Sequence, residues 1–432
     1  MTGNVDTKKS IGRFGSKGWG IIVYCMLMFW FYAGMNNDSA NIITPLIAEK
    51  LGIDYPTVLS MGTIAGLISF VLWVVFGRIN LKLGPRFTSM ICMIIAGVSF
   101  VCMGNAVSLP MYLIAYIGLA GCILSACYIC GGVLVANWFP KKRGIVMGWT
   151  TMGLNFSGTF FVPLIAFLVF SRGVEFSTNV FGVACVLVGI VGFIAIRNTP
   201  FERGAIPDNV SREEYDTKYD VEDVTDDKSV WTVKQLLKTK EIWQCAVPTG
   251  IIQLTTVGIM TQLVVRNVSL GIEQNVAIAM MTAVAIIGLF GSWTFGALDQ
   301  KFGTVKCMLI FGIWEIIALL ANITETQAGV YISVFMIGMM IGGSANFTVS
   351  LPANVFGRHG FGTVYSVVFP IQGLITSGAF AINAFALATF GSLRYALVIY
   401  IVCIVVVMII VKFVPEFKYN RDINAETKTG LQ

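Results

Sequence analysis

Charge is what this 432-residue chain has least of: 12% of its residues are Asp, Glu, Lys or Arg, against 56% that are hydrophobic. Soluble domains carry roughly a quarter charged residues, so the shortfall excludes a water-facing surface over most of the chain. Histidine is almost missing as well. His359 stands alone, which excludes a histidine-rich metal site and a His-based triad. No Walker-type phosphate loop occurs, leaving direct use of ATP without support, and no catalytic constellation of the kind an enzyme needs is visible. A basic stripe interleaved with aromatics is also lacking, so nucleic acid is not an expected partner despite the net charge of +6. Ten cysteines do occur, but nearly all lie inside apolar runs. Cys127-x-x-Cys130 has redox spacing without His or acidic neighbours, and reads as two small packing residues. No cofactor and no metal are expected.

What is present is apolar sequence in long runs, with a mean hydropathy of +0.79. About 20 apolar residues cross the hydrocarbon of a bilayer. Twelve such spans are expected, at roughly 19–38, 57–76, 87–105, 109–136, 143–170, 177–196, 242–265, 274–297, 303–323, 327–350, 361–388 and 391–414. Residues 1–18 are polar and basic, and no small-x-small pattern comes after 19–35, so the first span is expected to be uncleaved. Of the 29 Lys and Arg residues, 25 fall on the side of the termini and even-numbered loops; Lys50, Arg172, Arg266 and Arg394 are the four on the other. The positive-inside rule then puts both termini in the cytosol, and the cytoplasmic (plasma) membrane is the expected location. Residues 197–241 form the one long polar connection, with an acidic run, Y-D-V-E-D-V-T-D-D, ahead of W-T-V-K-Q-L-L-K-T-K. The first part reads as a tether and the second as a short amphipathic helix on the inner surface.

The halves on each side of this linker repeat. F-G-R-I-N-L-K-L-G at 76–84 returns as F-G-A-L-D-Q-K-F-G at 295–303, and A-N-W-F at 136–139 as A-N-V-F at 353–356. The offsets, 219 and 217, nearly agree, and each echo comes after the same span of its half. The expected fold is therefore an all-α membrane protein of twelve transmembrane helices in two pseudo-repeated six-helix halves. A cytoplasmic N-terminal tail (1–18) leads into the first half (19–196). The linker (197–241) joins it to the second half (242–414), and a C-terminal tail (415–432) ends the chain.

These features resemble the major facilitator superfamily. Its signature after the second helix, roughly G-x-L-x-D-R-x-G-R-R, is met here by G-R-I-N-L-K-L-G-P-R, which keeps Gly77, Gly84 and Arg86, with Lys82 in the first basic position. Leu81 replaces the acid, while Asp299 retains one in the second half, followed by Gly303. Such loops are thought to latch the two halves. A narrower similarity, to the oxalate/formate antiporter and monocarboxylate transporter group, rests on G-P-R at 84–86, W-F-P-K-K-R-G at 138–144, P-L-x-x-E-x-x-G at 45–52, L-P-A at 351–353 and F-G-R-H-G at 356–360. The resemblance implies the major facilitator fold and carriage of a small organic solute. Lys141, Lys142, Arg143 and Arg358 would then be inner-gate and topology charges. Anion carriers of this group place a cation in the eighth helix, and oxalate carriers a lysine in the eleventh. Here neither span holds Lys, Arg or His, which argues against a dicarboxylate.

Polar residues at helical spacing mark candidate solute contacts. In span eleven Tyr365, Gln372, Thr376 and Asn383 fall within about 20° of one another at ~100° per residue. Thr255, Gln262 and Arg266 keep the same spacing in span seven, and Tyr24, Phe31 and Asp38 nearly so in span one. Tyr128 shares a face with Ser125 and Gly132 in span four, and Thr151, Asn155 and Thr159 share one in span five. Each residue taken alone also fits helix-to-helix glue. Arg266 is the best-placed cation for an anionic solute. Asp38 and Glu315 are candidate proton carriers, because ionisable groups inside spans are costly unless paired or wet. The expected function is secondary transport of a small organic solute, an organic carboxylate first, by symport or antiport, driven by protons or by exchange. The chain would act as a monomer in the lipid bilayer. An efflux pump for amphipathic compounds and a non-transporting receptor or scaffold are the alternatives.

Overall fold

The computed structural model describes residues 14–140, 142–212, 215, 231–357 and 361–419, with every side chain in them except those of Arg143, Gly144 and Gly362. Lys141, Arg358 and the acidic run of the linker lie outside these residues.

Eleven described helices are long and apolar enough to cross a membrane. One of them, Tyr55–Gly104, has 50 residues and is broken at Gly84. At ~1.5 Å per residue it is about 75 Å long, enough for two crossings of a ~30 Å core. Counted so, the helices make twelve spans. Span one is Gly15–Asp38, spans two and three share Tyr55–Gly104, and spans four to six are Leu109–Trp138, Ile145–Arg172 and Val174–Ala195. Spans seven to nine are Lys240–Met260, Gln274–Phe302 and Thr304–Ile323. Spans ten to twelve are Gln327–Phe356, Thr363–Phe390 and Arg394–Lys412. Each expected span overlaps one of these helices. Spans eight and ten run further towards the basic loops than hydropathy alone indicated, because their last turns carry Asp299, Lys301 and Asn354.

The duplication is physical as well as textual. Gly84 (φ 78°, ψ 162°) and Gly303 (φ 85°, ψ 155°) turn the chain at matching points of the two halves, in a left-handed region that favours glycine. Each turn is gripped by a residue just after the last span of its half. Asn198 accepts from the Arg86 N–H at 2.9 Å, and Glu416 accepts from the Val305 N–H at 3.2 Å. Each gripping residue also meets the asparagine of the second echo: Asn137 donates to the Asn198 carbonyl at 3.1 Å, and Asn354 reaches Glu416 at 3.4 Å. Positions 198 and 416 differ by 218, between the two echo offsets of 219 and 217. This clasp ties spans two, four and six together, and eight, ten and twelve likewise.

The signature residues close contacts within their own half. Arg86 donates to the Phe193 carbonyl at 2.7 Å and lies 4.2 Å from that ring's centroid. Lys82 is exposed, and Gly77 and Asp299 are half-buried. Lys142 is held by Asp208, through its N–H at 3.0 Å and its ammonium at 2.8 Å. The amphipathic stretch of the linker forms the helix Val233–Lys238 behind a Thr232/Gln235 capping box, with Leu236 buried. All ten cysteines are free thiols.

The halves meet where span two packs on span eleven and span five on span eight. Among the described residues, the hydrogen bonds between them all lie at mid-depth or at the end away from the basic loops. Asn41 donates to the Met260 carbonyl (2.7 Å) and accepts from the Val264 N–H (3.0 Å). Tyr55 donates to Gln262 (2.8 Å), and Thr63 links the Ser377 carbonyl to the Ala381 N–H (2.7 and 2.8 Å). Thr282 donates to the Gly158 carbonyl at 3.3 Å.

Candidate solute cavity

Below this seam, between the halves, lies a cavity of about 130 Å³. The first half gives it Tyr32, Asn36 and Asn37 of span one, Trp73 of span two, and Tyr116 and Tyr128 of span four. The second half gives it Gln253 of span seven, Thr348 of span ten, and Tyr365, Phe369, Gln372, Thr376 and Phe380 of span eleven. Among the described residues, not one Asp, Glu, Lys, Arg or His lines it. Its rings form a continuous wall: Tyr128 meets Tyr32 at 5.7 Å and Phe369 at 4.7 Å, and Phe369 meets Tyr365 at 5.7 Å. Tyr116 faces Phe380 across the halves at 6.2 Å.

Two polar atoms at this wall have no partner among the described residues. The Gln253 amide nitrogen and the Asn36 amide oxygen are buried, and neither is hydrogen-bonded. One donates, the other accepts, and they come from opposite halves. A buried polar group left unpaired costs about 1–3 kcal/mol, and a bound solute with both kinds of group would recover it. Gln372 is less available: it donates to the Thr249 hydroxyl at 2.7 Å and the Thr348 carbonyl at 3.3 Å.

The first half shapes its wall with three π-helical segments, Tyr32–Asp38, Ser125–Cys130 and Ser157–Phe161. Each widened turn adds a residue and rotates the rest of its helix, a device common at functional sites. It brings Asn36, Asn37 and Tyr128 to the cavity and turns Asp38 away from it. Asp38 is buried, and the Ser157 hydroxyl donates to its Oδ2 at 2.5 Å.

Of the residues singled out by spacing, Tyr128, Tyr365, Gln372 and Thr376 line the cavity. Asn383 does not; it lies beyond the seam, donating to the Gly258 carbonyl at 2.9 Å and accepting from Tyr400 at 2.8 Å. Tyr24 is buried inside the first half, where it donates to Ser89 at 3.0 Å. Thr151 bonds the Met147 carbonyl of its own helix, and Asn155 sits at the packing of span five on Gly288. Gln262 belongs to the seam. Arg266 lines a separate pocket near the sealed end and is already paired, to Glu325 at 2.9 Å and to the Asn322 oxygen at 3.1 Å. Glu315 is buried in span nine, away from the cavity.

A family model for the Major Facilitator Superfamily matches residues 25–381. The chain belongs to the Major Facilitator Superfamily. It is 26% identical over 364 residues to an oxalate:formate antiporter of Oxalobacter formigenes, covering 82% of this chain and 81% of that protein. Solved structures share the superfamily's fold. A bacterial homologue of the human lysosomal transporter Spinster, described as inward-facing and unoccupied, aligns with a TM-score of 0.66 at 16% identity, over 92% of this chain and 97% of that one. A D-xylose-proton symporter aligns with a TM-score of 0.67 at 13% identity, over 94% and 100%. The chain is thus an integral membrane protein of a transporter superfamily, and its cavity occupies the cleft between the superfamily's two halves.

Tyr32, Asn36, Asn37, Trp73, Tyr116, Gln253 and Thr348 were missed by spacing. For span one the π-helical turn is the reason, since a fixed 100° step fails across it. Gln253 stands two residues from Thr255, so a search built on the Thr255 stripe looks at the wrong face. A lone polar residue in an otherwise apolar turn was the signal that could have found it.

Proposed function

We propose that this protein is a secondary transporter that moves a small organic carboxylate of single charge by alternating access, together with a proton. The charge-free cavity carries this reading. A bare carboxylate taken out of water loses several kcal/mol of solvation even after relaxation, and neutral hydroxyl and amide donors repay only part of that. A monocarboxylate leaves a single charge for the free amide donor and the other neutral donors of the wall to solvate, and one proton carried by the protein in the same cycle keeps transport electroneutral. A dianion would bring a second uncompensated charge. The likeness to a carrier of oxalate and formate supports carboxylate chemistry, and the missing cations favour the singly charged member of that pair.

With the basic loops and both termini in the cytosol of a plasma-membrane protein, the hydrogen-bonded seam faces outward. This state is then closed to the outside, and the two halves rock about the cavity to open it. A second reading, efflux of amphipathic neutral compounds, draws on the same aromatic wall.

A thermal-shift screen of purified protein against monocarboxylates, dicarboxylates and neutral lipophilic compounds separates the readings. Ligand at about 100 times its Kd stabilises the native state by ~2.7 kcal/mol. Monocarboxylates should give the largest shift, and Gln253→Leu should abolish it. Stabilisation by neutral lipophilic compounds alone would replace the carboxylate reading with efflux.

A further inference from the structure

We propose that Glu315 is the proton-binding carboxyl of this transporter, placed in the second half outside the solute cavity and joined to it through spans seven and eleven. The proposal rests on the proton-coupled reading above. Glu315 is the twelfth residue of the 20-residue span nine, fully buried, and both its oxygens lack a hydrogen-bond partner among the described residues. Asp38, the carboxyl that closes span one, has the Ser157 hydroxyl against it.

The groups around Glu315 define what it can hold. Thr255 faces it from span seven and Cys403 from span twelve. Thr255 spends its proton on the Ile252 carbonyl at 2.9 Å. Spans eight and ten, which also pack on span nine, bring no charged residue to this depth; Asp299 and Lys301 are at the basic end of span eight. Among the described residues no cation compensates a negative charge here, and one hydroxyl cannot coordinate a metal ion. A proton, carried as the neutral acid, is the ligand this site fits.

A small polar pocket lies between this site and the sealed end. The small pocket lined by Gln262, Arg266, Asn322, Asn383 and Tyr400 has about 20 Å³ of room, enough for one water. The Tyr400 hydroxyl closes its inner wall against Gly258 and donates to Asn383. Thr255 lies three residues further in, ~4.5 Å along the helix. The second carboxylate of this region, Glu325, is engaged by Arg266.

The same helices reach the solute. Span seven presents Gln253 to the cavity and, two residues on, Thr255 to Glu315. Span eleven presents Gln372 and Thr376 to the cavity, and beyond Ser377 presents Asn383 and the Ala379 carbonyl to Tyr400 (2.8 and 3.3 Å). Movement of either helix therefore alters the surroundings of both ligands.

The test compares wild type with E315Q, which keeps the volume and cannot titrate. In proteoliposomes, wild type should accumulate a monocarboxylate against its gradient when the outside is acid. E315Q should lose at least tenfold of that accumulation while retaining solute-for-solute counterflow. Separately, the infrared difference spectrum between the two purified proteins should contain the carbonyl band of a protonated carboxylic acid. Undiminished acid-driven accumulation in E315Q, or a difference spectrum without that band, would overturn the proposal. If wild type moves no carboxylate, the transport reading fails by itself, and the infrared arm still decides the state of Glu315.

Discussion

Gly66 lies where span two crosses span eleven, and a Cβ built on it would come 2.5 Å from the Ser377 Cβ. That atom is tied to the backbone, so it cannot swing aside as the end of a long side chain would. Gly66→Ala should therefore overpack the seam, at a cost of about 1–3 kcal/mol. In a state with the halves parted at this end, the added methyl meets no neighbour and the cost vanishes. The difference acts on the equilibrium between access states and shifts it about 5- to 150-fold towards the open seam. Spin labels at Val107 and Glu273, on loops at the sealed end, report the separation of the halves by double electron–electron resonance. Wild type should give mainly the short distance, and Gly66→Ala a second, longer population. Gly20→Ala is the control, because a Cβ there has nothing within 4 Å. An unchanged distance distribution in Gly66→Ala would refute the claim that this seam is the gate.

Three further outcomes rest on the same kind of contact. Arg266→Gln loses the ion pair to Glu325 and the bond to Asn322, and should lower stability by about 1–3 kcal/mol while leaving the solute-induced thermal shift intact; loss of that shift would return Arg266 to the solute site. Glu416→Ala removes the acceptor of the Val305 N–H at the Gly303 turn and should cost about 1–2 kcal/mol in chemical or thermal unfolding; no change would dismiss the clasp. Asp54 caps span two, and the Thr57 hydroxyl and N–H hold its carboxyl below the ordinary value of 3.8. A lowered carboxylate stabilises above its unfolded pKa and stops doing so as pH falls through the lowered value. The melting difference between wild type and Asp54→Ala should be constant above about pH 5 and shrink as the pH falls below 3.8 through the lowered value.

The sequence carried the fold further than it carried the site. Apolar run length sets the crossings, and two echoes at offsets of 219 and 217 mark the duplicated halves. The clasp at Asn198 and Glu416 was not legible, because those positions bear different residue types and neither lies in an echo. In span eleven, an unbroken helix from Tyr365 to Thr376 keeps the 100° step, and three of four stripe residues reach the cavity. The fourth, Asn383, lies seven residues beyond Thr376, ~10.5 Å further along the helix, and so falls past the seam. The π-helical turns misdirect the same rule in span one. Arg266 looked available because its partner stands 59 residues on, between spans nine and ten: Glu325, in a left-handed backbone (φ 56°), meets the guanidinium with its carboxylate. Side-chain pairing at such a separation leaves no periodic trace.

The central claim is that a charge-free cavity carries a monocarboxylate while the protein carries one proton in the same cycle, so that no net charge crosses. Flux of a monocarboxylate into proteoliposomes, with pH gradient and membrane potential set independently, tests it most directly. The account predicts uptake that rises with outside acidity and does not respond to potential at fixed pH gradient. Uptake driven by potential without a pH gradient, or no flux of any carboxylate, would contradict it.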